Sequence, residues 1–431
     1  MTRSLIAVLF GTFTLRFSTG LTGGLLVYYL DDLPSYGGIQ VDSTTVGLLT
    51  AGYFIAELSL SPVFGYLSDR FGAHRIMQIG PIFGVVAVLV TAFMVDLWVL
   101  GGTRLLEGGA AAASIPSILG YIALATRSDQ AIRGKAVARF EAATLAGIGF
   151  GIVAAGPLFD LLGRGGFLLN AAIYLGSFAI YRWGVEELHH EASPDELQAG
   201  MHMVRPTGLD LGRYRRILGS SSVWLLAPTW IALNAVLGSW ATQSVFQLVR
   251  EPPPAFSNQL LMQGASPTTV SLSFGAVGLV FLGGIWFWGN RFRRMRRTTI
   301  IAIGLGGALV MLAATFVLNH SAGPGLIAQV PLALIAAIGL FVMAGATPAA
   351  LGLLADISES HPADRGAIMG LYSVFLGIGQ IVGALVSGPA GDLAGIDGLL
   401  MASVGLILIA VLPVHRLRAS EHLVGAAPDP A

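Results

Sequence analysis

The strongest constraint on this chain is a succession of apolar runs, each about 20 residues long, which is the length an α-helix needs to cross roughly 30 Å of hydrocarbon. Inside lipid no water is present to satisfy backbone N–H and C=O groups, so a run of this kind reads as a helix. Twelve such runs are found, at roughly 5–30, 44–64, 76–95, 97–126, 137–160, 166–184, 220–247, 269–289, 299–318, 326–354, 366–388 and 396–413. A soluble reading is excluded, because only 11% of the residues are charged, against about 25% in an ordinary soluble domain. Glycine accounts for 57 of the 431 residues, which suits membrane helices that pack closely through small side chains.

Basic residues test the count, since loops on the cytoplasmic side collect Lys and Arg. Of the 24 Lys and Arg, Arg164 and Arg250 fall in loops assigned to the outside and Arg16 and Arg104 within runs; all the others sort to one side. An even number of spans then places both termini in the cytoplasm, in a plasma or inner cell membrane. Met1 to Leu15 has the look of a signal peptide, but the apolar run continues past Arg16 to Leu30 without a small-residue cleavage site, so it reads as an uncleaved first span. Zero net charge gives no field to attract nucleic acid, and the absence of cysteine excludes disulfides and thiolate chemistry. No metal and no cofactor is expected, and the chain reads as a monomer in the bilayer.

The longest polar stretch, 185–219, divides a first half at 1–184 from a second at 220–431 with a short cytoplasmic tail. Its basic end, Arg213 to Leu218, is expected along an anionic membrane surface, and its His189-His190-Glu191 run is expected to be solvated rather than metal-binding. Residues 250–267, with prolines at 252–254, form an outer loop. The halves repeat each other. Pro116 and Pro348, Arg133-Gly134 and Arg365-Gly366, Gly147 and Gly379, and Gly156-Pro157 and Gly388-Pro389 are each 232 residues apart, while Thr44-Thr45-Val46 recurs as Thr268-Thr269-Val270, displaced by 224. Internal repeats of six spans belong to transporters whose substrate site lies near the bilayer midplane between the halves.

Between the second and third runs stands a hydrophilic stretch, Gly65 to Arg75, GYLSDRFGAHR, expected as a tight loop. Here the chain resembles the major facilitator superfamily, whose signature Gly-x-Leu-x-Asp-Arg-x-Gly-x-x-Arg is met by Gly65, Leu67, Asp69, Arg70, Gly72 and Arg75. The resemblance implies an all-α membrane fold of twelve helices in two pseudo-symmetric halves, with this loop gating their cytoplasmic ends. In the fourth run Arg104, Gly108, Ala110 and Ala111 match a second family motif, but Glu107 stands where glutamine is usual. In proton-coupled relatives that arginine assists proton handling. The fifth-run motif of the drug/proton antiporter branch is met by Gly147, Gly151, Gly156 and Pro157, without the Gly-Gly that follows it. Because Gly388-Pro389 repeats the pair in the second half, a packing kink is an equal reading. Antiporters of this family often carry an acid in the first span, where this chain has Arg16.

Four ionisable residues lie deep in runs: Arg16, Glu57, Arg104 and Glu107. Arg16 is roughly 17 Å and Glu57 roughly 20 Å from an end of its span, both near midplane. Four unpaired charges there would cost about 10 to 14 kcal/mol, so pairing is expected. Arg104 and Glu107, three apart on one face, are expected to pair directly, which leaves Arg16 and Glu57 as partners across adjacent spans. Two readings stand side by side: a fixed polar network that orients helices, and a site that couples ligand to protons. The matching depths of the second half offer Trp230, Asn234, Trp240, Gln243 and Gln380 as cavity candidates, although tryptophans in spans also serve as packing. Glu141, Asp160, Asp356 and Asp392 fall near run ends and are expected to be solvated or capping.

The expectation is therefore a secondary transporter working by alternating access, exporting amphipathic or drug-like small molecules in exchange for protons. Import of a small organic anion, with Arg16 and Arg104 as its clamp, is the alternative, followed by a transport-inactive sensor. An enzyme is disfavoured, because the spans hold no histidine and no nucleophile beside a base.

Overall fold

The computed structural model describes residues 2–126, 130–188, 221–291, 295–323, 325–359 and 365–424. Within them there are helices and no strand. The first six are α1 (Arg3–Asp31), α2 (Ser43–Phe71), α3 (Ala73–Phe93), α4 (Leu97–Ala125), α5 (Gln130–Leu162) and α6 (Gly165–Gly184). After the linker, α7 runs over Ser221–Ser239, widens into a π-turn at Trp240–Ser244 and ends at Val249. It is followed by α8 (Pro267–Gly289), α9 (Arg297–Asn319) and α10 (Leu326–Ile357). The last helical run, Arg365–Val424, is broken at Ala394 and Gly395 into α11 (365–393) and α12 (396–424).

Every one of the twelve apolar runs lies on one of these helices. Nine stretches among the described residues are long and apolar enough to cross a membrane, and one of them, Ser373–Arg418, holds two crossings on either side of the break. The starts follow from the sequence: Thr2, Asp42, Asp96 and Ser266 each accept a first-turn amide of the helix they precede, satisfying donors that have no partner within the helix.

Three boundaries differ from the sequence reading by seven residues or more, one of them the end of α12, which runs on to Val424, 11 residues past 413. Helix α2 continues through Gly65, Asp69 and Arg70 to Phe71, so the expected loop shrinks to Gly72, whose φ of 95° suits only glycine. Aqueous helix needs no apolar side chains, so the span simply extends about 10 Å beyond the hydrocarbon-like stretch. Likewise α5 begins at Gln130, seven residues before the expected start. The expectations for His189-His190-Glu191 and for Arg213 to Leu218 fall outside the described residues.

Two large apolar clusters carry the packing. One is built from α1 to α6 with Val245, Phe246 and Val270 added, the other from α7 and α9 to α12. Helix α1 lies between α5 and α6, and α2 between α4 and α11. Backbones approach through glycine: a Cβ on Gly20 would meet the Ile148 carbonyl and one on Gly151 the Phe17 carbonyl. Polar side chains add direct links, with Asn170 of α6 donating to the Ser18 carbonyl at 3.0 Å and to Thr22 Oγ1 at 2.7 Å on α1.

Gly20→Val is expected to force α1 from α5 and to cost about 1–3 kcal/mol of stability, as overpacking of a well-filled contact does. Thermal unfolding in detergent reads this directly, and an unchanged midpoint would contradict the close α1–α5 contact.

Candidate functional site

Placing the deep charges starts from the helices that carry them. Arg16 is buried on α1, Glu57 is half-buried on α2, and Arg104 and Glu107 are buried on α4. Arg104 and Glu107 form the expected ion pair through Arg104 Nη2 and Glu107 Oε1, a bond that their spacing of three residues permits. Arg104 Nε is buried without a partner, so the guanidinium is held at one edge only.

Arg16 and Glu57 do not form the contact pair the sequence led one to expect. They influence each other electrostatically, yet no ion pair joins them. The reason lies in the packing: α1 and α2 are not neighbours, because α1 sits against α5 and α6 while α2 sits against α4 and α11. Arg16 and Glu57 therefore approach from different walls. A second acid, Glu141 of α5, also acts on Arg16. Tyr53, one turn before Glu57, interacts with Glu57, Arg16, Tyr174 and Glu107, and Tyr174 of α6 with both members of the α4 pair. The charges of α1, α2, α4 and α5 thus lie within electrostatic reach of one another, with the neutral Tyr174 of α6 beside the α4 pair.

Sequence reasoning missed Glu141 and Tyr53. Glu141 was assigned to a span end, which left its electrostatic reach to Arg16 unseen; it lies about 9 Å along α5 from Gly147, the residue packed on Arg16. Tyrosine in an apolar run is normally packing, and Tyr53 carries no signal of its own in the sequence.

The cavity candidates of the second half are dispersed. Trp230 lies in the apolar core, and Trp240 donates from Nε1 to Ser403 Oγ on α12 at 2.9 Å. Gln243 reaches α2, where its Nε2 donates to the Ser43 carbonyl at 2.8 Å. Asn234 and the half-buried Gln380 remain together at the seam of α7 and α11, with Asn234 beside Gly379 and Gln380 beside Gly238. An apolar groove of about 550 Å³ runs between α1, α5 and α8, lined by Phe13, Phe17, Phe150 and Pro157 among others. Phe13 and Phe17 bracket Arg16, so an apolar wall lies within a turn of the charged field.

Hydrogen bonds between the first six helices and the last six gather at the bundle end away from the termini. Ser271 of α8 enters the α5 ladder: its Oγ accepts from Gly156 N at 2.9 Å, donates to the Ile152 carbonyl at 3.0 Å and lies 2.7 Å from Tyr28 Oη. At the termini end, Asp69 and Arg70 are exposed, Arg70 stacks on Phe71, and Arg75 pairs with Glu187 at 3.0 Å.

A family model described as Major Facilitator Superfamily matches residues 8–327 and 252–428. Over 431 residues, 98% of this chain and 99% of the relative, the chain is 22% identical to the quinolone resistance protein NorA of Staphylococcus aureus (strain MSSA476). Among solved structures it is similar to the nucleoside transporter NupG, with a TM-score of 0.71 at 14% identity over 97% of this chain and 99% of that one. It is also similar to a bacterial homolog of the human lysosomal transporter spinster in an inward-facing, unoccupied conformation, with a TM-score of 0.69 at 13% identity over 99% and 98% of the two chains. These likenesses bear out the expected fold.

Glu107→Ala is expected to destabilise the protein by about 3–5 kcal/mol by stranding Arg104 in the interior. Arg104→Met combined with Glu107→Leu is expected to recover most of that loss. Chemical denaturation in detergent checks both, and a single variant no worse than the double would contradict a dry, paired α4 site.

Proposed function

This chain belongs to the major facilitator superfamily, and we propose that within it the protein exports amphipathic or drug-like molecules in exchange for protons. It is a multi-pass membrane transporter acting on a small molecule and not an enzyme. The further steps of the proposal are that residues 1–184 and 220–431 rock about a midplane site, joined by 185–219, with both termini in the cytoplasm and one chain sufficing.

One observation carries the coupling. Arg16 lies in the reach of two acids, Glu57 and Glu141, from two different helices and is in ion-pair contact with neither. An arginine shared in this way can change partners at small cost. When Glu141 engages Arg16, Glu57 is left with less compensation for its charge and takes a proton; a cationic head beside Glu57 restores that compensation and drives the proton off, so that substrate and proton occupy the site in turn. The acid excess around Arg16 supports a substrate with a cationic or dipolar head. The name of the relative NorA, a quinolone resistance protein, points the same way.

Import of an organic anion would use Arg16 and Arg104 as one clamp. Arg104 is already bound by Glu107, which supports the export reading. Asn234 and Gln380 supply the polar groups of the opposite wall in this proposal, and Asp69 with Arg70 serves the gate at the cytoplasmic end.

Glu57→Gln keeps shape and hydrogen bonding but removes titration. In proteoliposomes given a pH difference, the variant is expected to exchange a lipophilic cation such as tetraphenylphosphonium but not to accumulate it. Accumulation at the wild-type level would remove Glu57 as the coupling acid.

A further inference from the structure

The two copies of Gly-Pro-x-x-Asp, Gly156 to Asp160 and Gly388 to Asp392, close α5 and α11 at the bundle end away from the termini. An aspartate in the last turn of a helix faces the negative end of the helix dipole and is unfavourable there unless something distant compensates it. Both aspartates have such a compensation, and it is the same one. Asp392 accepts from Ser43 N and Thr44 N, each at 2.8 Å, and from Thr44 Oγ1 at 2.5 Å, all on the first turn of α2. Asp160 accepts from Thr268 N at 3.0 Å, on the first turn of α8. Each acid thus caps the start of a helix that belongs to the opposite half, and the exchange is reciprocal.

The donors are those which the receiving helices cannot satisfy themselves. In α2 the local cap Asp42 takes Thr45 N at 2.8 Å, leaving Ser43 N and Thr44 N for Asp392. In α8 the local cap Ser266 takes Thr269 N at 3.3 Å and Pro267 has no N–H, leaving Thr268 N for Asp160. Free first-turn amides need an acceptor, and a carboxylate also matches the positive helix end.

The glycine four residues earlier completes each seat, because that spacing puts both residues on one helix face. A Cβ at Gly156 would run into the Pro267 backbone, and one at Gly388 would lie 2.9 Å from the Ser43 carbonyl oxygen and from Thr44 Cα. The motif is therefore a bare patch that receives a helix end with an acid that caps it. On the α11 side it is reinforced by Arg250, 4.0 Å from Asp392 and donating to Ser43 Oγ at 3.3 Å, and by Gln247 Nε2 donating to the same oxygen at 2.5 Å.

We propose that Asp160 and Asp392 are paired positioning residues for alternating access, each holding the first turn of the facing helix while this end of the transporter is closed and surrendering those amides to water when it opens. This rests on the alternating-access reading above. It gives the repeated motif a purpose that a kink does not explain, since a kink needs the proline but not the aspartate.

The full chain contains no cysteine, so spin labels on cysteines at the exposed Ile39 and Ile327 report the distance across this end. In wild type the short-distance population is expected to dominate. The ratio of open to closed is expected to rise about tenfold in Asp392→Ala, which loses three donors, and about threefold in Asp160→Ala, which loses one. Asp392→Asn, which keeps a neutral acceptor, is expected to fall between wild type and Asp392→Ala. Gly156→Ala and Gly388→Ala, which leave the acids in place, are expected to shift the ratio in the same direction. Asp96→Ala serves as control, since Asp96 caps only its own helix. An unchanged ratio in the aspartate variants, or an equal shift in the control, overturns the latch while alternation stands. If no variant, substrate or pH difference ever populates an open state at this end, alternation itself fails and the latch with it.

Discussion

Lipid offers no hydrogen-bond partner and little solvation for charge, so each polar group placed in a span must be matched from within the protein. That constraint orders this molecule at every level. It makes the spans helical, it closes Arg104 on Glu107, and it brings the charges of α1, α2, α4 and α5 within reach of one another instead of leaving them to face hydrocarbon separately. Arg16 is the member that the constraint leaves least settled, between Glu57 and Glu141, and a group poised between two partners is the kind that a ligand or a proton can move.

The same rule acts at the bundle end away from the termini. First-turn amides of α2 and α8 cannot be satisfied within their helices, and the partners they find come from the other half. Contacts between the two sets of helices at that end therefore add replaceable hydrogen bonds to the apolar packing of Val245, Phe246 and Val270. Hydrogen bonds that water can replace suit a seam that opens.

Much of the architecture was legible because apolar length and glycine content are properties of the chain itself. The twelve runs and the Arg104–Glu107 pair depend on residues close in sequence, and they were read from spacing. Arg16 and Glu57 were not, since sequence order suggests that consecutive spans touch and the fold separates them. Helix ends were misjudged where polar residues continue a helix into water, at Phe71 and at Gln130. The spread of Trp230, Trp240 and Gln243 among core, α12 and α2 was beyond periodicity, which gives a residue's face but not what lies opposite. For Asp160 and Asp392 the repeat showed two equivalent aspartates, but the amides they serve became visible only with the facing helices in place.

The central claim is that one midplane cavity opens in turn to each side of the membrane. Tyr53, half-buried beside Glu57 on α2, is the place to test it, with Tyr53→Cys as the single thiol of the chain. A membrane-impermeant maleimide applied from the face that carries the termini should label this position at rest. With substrate and a pH difference imposed, labelling should also appear from the opposite face. Reaction from one and the same face under every condition would contradict the account.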